Sequence, residues 1–463
     1  MNPQIATIAC VVGIMVLFFM DRDASARTSK ALWIPLVWML IIGSRGVTLW
    51  FQTEPSLNLT ARYTTESPID AAVYGVLIAA GVLILNSRSK QVKSFLQVNL
   101  PLLLFFSYCA ISILWADSPF ISLKRWIKAV GDIVMVLVVV TDPDPRAAAK
   151  RFLCRAGFVL LPLSVLLIKY YPSLGTFWDE GNHITLYNGV TTQKNGLGQI
   201  CMVFGLGSLW SFLSALEEPG MRRRAERLFA HGVILLTAML LILKADSMTS
   251  LSCLLLAGTV MILSTRQWVA KRTGGVQALI AGAIVLPLFA VFIDSAGLLL
   301  QVLGRTPTLT GRTSIWRAVL SLNTNPLVGT GFESFWLGGR LQTIWALTAP
   351  GIQEAHNGYL EVYLNLGIIG VCLLGGLIVT GYANAYSVFR RDPSEGSFRL
   401  AIVTAGVIYG LTEAGFRMMS PIWMAFLLAI SVAPLSVQSW QYQQASVLPL
   451  TRGLPRKQVR ILQ

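Results

Sequence analysis

Thirteen long apolar runs divide this chain, and no other feature limits its possible folds so strongly. They fall near residues 3–20, 31–50, 69–86, 95–115, 126–141, 156–171, 196–214, 231–246, 249–265, 276–299, 358–384, 400–414 and 421–437. Runs of roughly 17 to 25 residues have the length that a helix needs to cross a hydrocarbon core of about 30 Å. Strand-type alternation is absent along them, which excludes a transmembrane β-barrel. Charged residues are only 13% of the chain, about half the roughly 25% of an ordinary soluble domain. The expectation is an all-α, polytopic membrane protein with about 12–13 transmembrane helices and one large outer loop.

The runs at 231–246 and 249–265 are separated by little more than Lys244, Asp246 and Ser247, which fits a tight helical hairpin or one kinked helix. The first run lacks a preceding basic stretch and a small-residue cleavage site, so it reads as a retained span rather than a secretion signal.

Basic residues collect in cytoplasmic loops, so their placement is a separate check on this map. With the amino terminus outside, the odd-numbered connections carry 24 of the 37 Lys and Arg, against nine in the even-numbered ones. The expected orientation is therefore amino terminus out and carboxyl terminus in. The net charge of +15 then belongs to short loops facing anionic lipid, and no nucleic-acid partner is needed to explain it. The six cysteines lie in or beside apolar runs without CxxC spacing, so neither a disulfide framework nor a metal site is indicated.

The remaining polar residues gather in the even-numbered connections. SILWADSPFISLKRWIK, residues 112–128, places Ser122, Lys124 and Arg125 just after the helix breaker Pro119, where hydroxyl and cationic donors suit a phosphate. In TTQKNGLGQ the ammonium of Lys194 precedes Asn195 and two glycines, an arrangement that suits an anion. Arg45, in SRGVTLW near the outer end of the second run, is a costly intramembrane charge and a candidate to serve the same site.

The longest of these connections holds GRTSIWRAVLSLNTNPLVGTGFESFW, residues 311–336, and AHNGYLE, residues 355–361. A loop of this length against a membrane is seldom a mere connector. Arg312 and Trp316 fall four apart on an expected interfacial helix, and a guanidinium fork suits a diphosphate. Phe332, Phe335 and Trp336 offer flat apolar faces of the kind that stack on sugars, though interfacial anchoring is the commoner use of such residues. His356, one of three histidines, has an ordinary pKa near 6.5, which makes a neutral proton-accepting imidazole available. Asn357 or Tyr359 is placed to orient an acceptor. No carboxylate pair with convincing spacing appears in this loop.

The order of SRGVTLW, SILWADSPFISLKR, TTQKNGLGQ, ADSMTS, GRTSIW with PLVGTGFESFW, and AHNGYLEVYLNLG resembles the O-antigen ligase and polymerase family, especially its exopolysaccharide polymerase branch of ExoQ type. The likeness runs from about residue 30 to 430. It implies a fold similar to lipid-dependent, GT-C-like glycosyltransferases, acting at the periplasmic face of the bacterial inner membrane. It implies metal-independent, inverting transfer without a cofactor, from an undecaprenyl-diphosphate-linked oligosaccharide to a growing polysaccharide. Mapped onto this chain, Arg312 and His356 are the catalytic pair. Arg125, Lys194, Arg45, Lys124, Asn357, Tyr359 and Trp336 are the candidate substrate-binding residues. Membrane lipid is an implied partner, with chain-length regulators and export proteins as further ones.

The domain map that follows places transmembrane helices in 1–299, the periplasmic loop in 300–357, further spans in 358–437 and a basic cytoplasmic tail in 438–463. Two other outcomes are open, one within this reading and one outside it. One is a ligase that transfers glycan to lipid A core. The other is a transporter or flippase, disfavoured because the polar residues gather at one face and not at mid-depth.

Overall fold

The computed structural model describes residues 2–23, 26–51, 67–179, 183–217, 220–270, 272, 274–294, 308–322, 324–349 and 351–432. The expected tail 438–463 and segment 300–307 lie outside the described residues. Within them, every apolar run coincides with helix.

In chain order the helices are α1 (Pro3–Met20), α2 (Trp33–Ile42), α3 (Val47–Phe51), α4 (Pro68–Ser87), α5 (Ser89–Val98), α6 (Leu100–Ile111), α7 (Pro119–Val140), α8 (Pro145–Tyr170) and α9 (Pro172–Gly175). They continue with α10 (Lys194–Leu216), α11 (Met221–Lys244), α12 (Met248–Ser264), α13 (Gln267–Ala270), α14 (Gly275–Asp294), α15 (Thr308–Ser321), α16 (Gly338–Leu347), α17 (Gly358–Arg391), α18 (Pro393–Thr412) and α19 (Pro421–Ile430). Many begin on a proline, whose missing N–H costs nothing in the first turn. One short hairpin, β1 (Thr176–Asp179) with β2 (Ile184–Tyr187), interrupts an otherwise helical chain.

Among the described residues six helices, α1, α4, α8, α10, α11 and α17, are long and apolar enough to cross a bilayer, or seven if the bent pair α5 and α6 counts as one span. Four further apolar helices, around α2, α12, α14 and α19, are shorter. The larger count expected from sequence therefore leans on short helices and on charged ones such as α7, which carries Lys124, Arg125, Lys128 and Asp132. The chain is a multi-pass membrane protein of all-α class.

Two runs are not the straight helices that apolar length implied. The 31–50 run opens at Gly43–Gly46 and closes again as α3. The 95–115 run bends by 88° at Asn99. The pair α11 and α12 resolves as a hairpin, turned at Asp246 with φ 49°.

Long-range polar bonds sort the connections into two ends. At one, Arg88 pairs with Asp142 at 3.7 Å, Arg146 with Asp392, and Ser29 N–H donates to Asp142. These are connections that the charge pattern assigned to one side. At the other, Thr48 bonds Asp70 and Trp115 donates to the carbonyl of Val328.

A buried carboxylate ties the helical frame to this second end. Trp38 on α2 packs over Gly131 on α7, where a Cβ would come within 2.4 Å of its ring. That close approach lets Trp38 Nε1 reach Asp132 at 2.8 Å, while the other Asp132 oxygen accepts from the N–H of Met419 at 2.9 Å. Asp132 is fully buried, so Asp132→Ala orphans both donors at about 1–3 kcal/mol each. A lower thermal midpoint of the detergent-solubilised protein is expected, with Asp132→Asn intermediate. An unchanged midpoint for both variants would refute this anchoring.

Candidate active site

Among the described residues between α14 and α17, helices α15 and α16 form a helical cap. Ile315 and Val319 from α15, Leu341 and Ile344 from α16, and Phe335 form its buried apolar cluster.

The cap is sewn into a broken helix. At Gly367 the backbone of α17 leaves helical geometry for one residue, with φ 64° and ψ −166°. A break inside an apolar helix frees carbonyl and amide groups that need partners. The segment Pro326–Gly331 supplies them: Thr330 and Gly331 N–H donate to Leu364 and Asn365 carbonyls at 3.1 and 2.8 Å, and Ile368 and Ile369 N–H donate to Pro326 and Leu327 carbonyls at 2.9 and 3.2 Å. The two backbones approach so closely that a Cβ on Gly367 would lie 2.2 Å from Leu327, and one on Gly329 would lie 2.4 Å from Asn365. Both glycines also have positive φ.

This seam fixes the functional side chains. On α15, Arg312 and Trp316 are one turn apart, as the sequence implied. Trp316 Nε1 donates to the carbonyl of Ala355 at 2.7 Å and so holds the residue before His356. Asn357 caps α17, its Oδ1 accepting from Tyr359 and Leu360 N–H, both at 3.0 Å. His356 lies just outside the helix with φ 49°.

Arg312 and His356 meet on a residue that the sequence reading placed inside an apolar run. Glu413, only 5% exposed in its side chain, accepts from Arg312 at 2.6 Å and lies 3.1 Å from His356 Nδ1. Asn195 Nδ2 is 3.2 Å from the same carboxylate. His356 Nδ1 is also 3.1 Å from Glu354, and Arg417 bridges Glu354 at 3.7 Å and Glu333 at 3.5 Å. The result is an alternating row of charge: Arg312, Glu413, His356, Glu354, Arg417, Glu333.

Electrostatics overturn the expectation of a neutral imidazole. Burial alone would lower the His356 pKa, but hydrogen bonds and charge from Glu354 and Glu413 outweigh it and raise the pKa to about 10. His356 is therefore an imidazolium in the resting site. Burial would likewise raise Glu354, yet His356, Arg417 and Arg312 hold it below the usual carboxylate range. The carboxylate pair that sequence spacing did not reveal is thus Glu354 and Glu413, brought together across 59 residues by the docking of α17 on α18.

A cavity of about 400 Å³ opens beside this row. Glu354, Glu413, Arg417, Asn195 and Lys128 contribute to its wall, and Lys128 also lies 5.2 Å from the ring of Tyr74. Arg312 and His356 stand behind Glu413 and not in the wall itself.

Several expected binding residues are bonded within the protein itself. Arg45 is caged by the carbonyls of Leu174, Gly189 and Thr191, the last two at 3.0 Å, and stacks over Trp50. It thereby shapes the segment that leads to Asn195. Lys194 pairs with Asp246 at 4.0 Å. Lys124 is exposed and lies over Phe120. Arg125 donates to the carbonyl of Glu333, at the far end of the charged row. Asn357 spends its amide on Leu411 and Tyr359 its hydroxyl on Val407. Trp336, expected as a sugar platform, is buried with Phe332 and Phe335, and its Nε1 donates to Glu361 at 2.9 Å.

Glu354, His356 and Glu413 also offer three donor atoms within 4.8 Å of one another. A divalent ion there would have to displace the Nδ1 proton and face Arg312 and Arg417. The donor set fits an ion-pair network better than a metal centre.

Comparison with known proteins bears on this arrangement. Residues 231–375 match the family model described as O-Antigen ligase. Over 315 residues, 65% of this chain, the sequence is 28% identical to the exopolysaccharide production protein ExoQ of Rhizobium meliloti (strain 1021), covering 68% of that protein. Over 344 residues, 72% of this chain, it is 25% identical to a putative polysaccharide ligase of Rickettsia felis, covering 80% of it. Arg312, Glu354 and His356 lie inside the matched family segment, and Glu413 and Arg417 beyond it. The expected resemblance to the O-antigen ligase and exopolysaccharide polymerase family thus holds, with residues 231–375 similar to the O-antigen ligase model.

Proposed function

We propose that this protein extends a polysaccharide by moving a glycan from a lipid diphosphate, of the undecaprenyl-diphosphate kind, onto a hydroxyl of a second lipid-linked repeat unit. The row of alternating charge beside the 400 Å³ cavity carries this reading. The acceptor oxygen attacks the anomeric carbon, the bond to the diphosphate breaks, and its electron pair leaves with the phosphate. Arg312 and Arg417, permanently cationic, meet that charge from either side of the carboxylates, with Lys128 in the cavity wall and the His356 imidazolium adding to it. Glu354 accepts the hydroxyl proton: both carboxylates line the cavity, but Glu413 is held by three partners, Arg312, Asn195 and His356, against His356 and Arg417 on Glu354. One displacement inverts the anomeric centre. Neither a metal nor a cofactor enters these steps, and the site faces the periplasm across the bacterial inner membrane.

The match to an O-antigen ligase model favours one second reading, with the same donor and lipid A core as acceptor. Purified protein in nanodiscs, given lipid-linked repeat units and no nucleotide sugar, distinguishes these outcomes. Chain growth supports the polymerase. Transfer only when lipid A core is supplied supports the ligase, and movement of intact lipid across the bilayer without transfer supports a transporter.

The same assay reads the state of His356. Its folded pKa of about 10 exceeds the ordinary 6.5, so the cation is populated at low pH and lost as pH rises through 10. Its contribution to stability is complete below about 6.5 and likewise disappears through 10. Activity is expected to show no rise near pH 6.5 and to fall above about 9.5. A rate that climbs with a midpoint near 6.5 would instead restore the neutral imidazole as base.

A further inference from the structure

A second charged cavity lies at the opposite end of the bundle from the charged row, and the proposed transfer makes no use of it. Helices α1 and α8 run antiparallel. Thr7 bonds the hydroxyl of Tyr171 at 2.9 Å near one end, and Phe18 meets Phe158 edge-on at 5.9 Å toward the other. Below that aromatic contact is a cavity of about 340 Å³ lined by Arg22, Arg151 and Arg155, with Asp21 and Asp23. It sits where the basic connections gather, a helix length of roughly 30 Å from the transfer site.

We infer that this cavity binds a phosphate group, in the first instance that of an acidic lipid headgroup. Arg151 and Arg155 are four residues apart on one face of α8, a spacing at which like charges repel unless an anion lies between them. Asp21, whose charge also reaches Arg155, is divided among further cations, with Arg227 at 3.4 Å and His231 at 3.0 Å. Among the described residues neither Arg22 nor Arg155 has a carboxylate within 4 Å.

The guanidinium groups are also preset. Arg151 donates to Thr28 Oγ1 and to the carbonyl of Asp23, and Arg155 lies 5.3 Å over Trp33 and 5.9 Å over Phe18. Planar forks fixed in this way match the paired oxygens of a phosphate. The half-exposed Trp33, 52%, has the character of an interfacial residue, which puts the cavity at headgroup depth. Basic pockets between spans at that depth are the usual seats of anionic headgroups.

Native mass spectrometry of the delipidated full chain tests this with two lipids, phosphatidylglycerol and phosphatidylcholine. Phosphatidylglycerol should be retained at least about tenfold better, as expected for two or more basic residues acting on one headgroup. Arg22→Gln with Arg155→Gln should bring the two lipids to parity. Arg222→Gln, an exposed change on α11, should not. If the double variant fails to fold, the single Arg22→Gln, at an exposed position, should still reduce the preference severalfold. Inorganic phosphate alone, read by thermal midpoint, separates the sources: a rise in the wild type but not in the variant, without lipid selectivity, assigns the cavity to free phosphate. Equal retention of both lipids with no effect of phosphate overturns the inference.

Discussion

Glu413→Ala is expected to reduce glycan transfer by about 10²–10³-fold or more, the loss seen when a preorganised charge-stabilising group is removed. Its carboxylate is where Arg312 and His356 meet, at 2.6 and 3.1 Å. Without it both cations stay in a partly buried site facing each other. Removing one partner of a buried pair costs about 3–5 kcal/mol, so a lower thermal midpoint should accompany the loss. Glu413→Gln separates the two effects. It keeps the shape and one acceptor, and should recover much of the stability while leaving activity low. Transfer in nanodiscs with each variant checks this. Wild-type rates for Glu413→Gln would mean that the carboxylate is only a spacer.

Gly367→Val should be the most damaging single change to the cap. The new Cβ would be forced to about 2.2 Å from the backbone of Leu327, and a β-branched residue at positive φ adds strain of about 1–3 kcal/mol. Relief requires the seam to open, which removes four backbone hydrogen bonds. Proteolysis of membrane vesicles should then cut within residues 324–349, which the intact seam should protect in the wild type, and transfer should be lost. Thr380→Val, in the lower part of the same helix and away from the seam, is the control. Resistance to protease in Gly367→Val would refute the sewn cap.

The helical class and its segments were legible because bilayer thickness acts on every run alike, and a run needs no tertiary partner to be recognised. Arg312 and His356 were legible because polar residues beside spans stand out. Glu413 was hidden by the same logic: the 400–414 run absorbed it, although TEAGFR between two apolar stretches marks a costly break. The protonation of His356 was only half in view, since it depends on Glu354, two residues earlier, and also on Glu413, 57 residues away. The intramolecular partners of Arg45 and Trp336 were out of sight for one shared reason. A cation or an aromatic ring looks the same in sequence whether it meets a ligand or, as here, the carbonyls of Leu174 and Thr191 or the carboxylate of Glu361.

The elbow between α5 and α6 has a mechanical consequence. A helix set at 88° to its neighbour lies along the membrane surface when that neighbour crosses it. Phe95 is anchored in the core, and Lys90 and Lys93 are exposed on the same helix, where such a placement would bring them to the headgroups. Like an outrigger, α5 therefore sets how deeply α6 is immersed. Because Ser112 and Trp115 at the far end of α6 grip Phe332 and Val328, a thinner or thicker bilayer would tug on the cap from below.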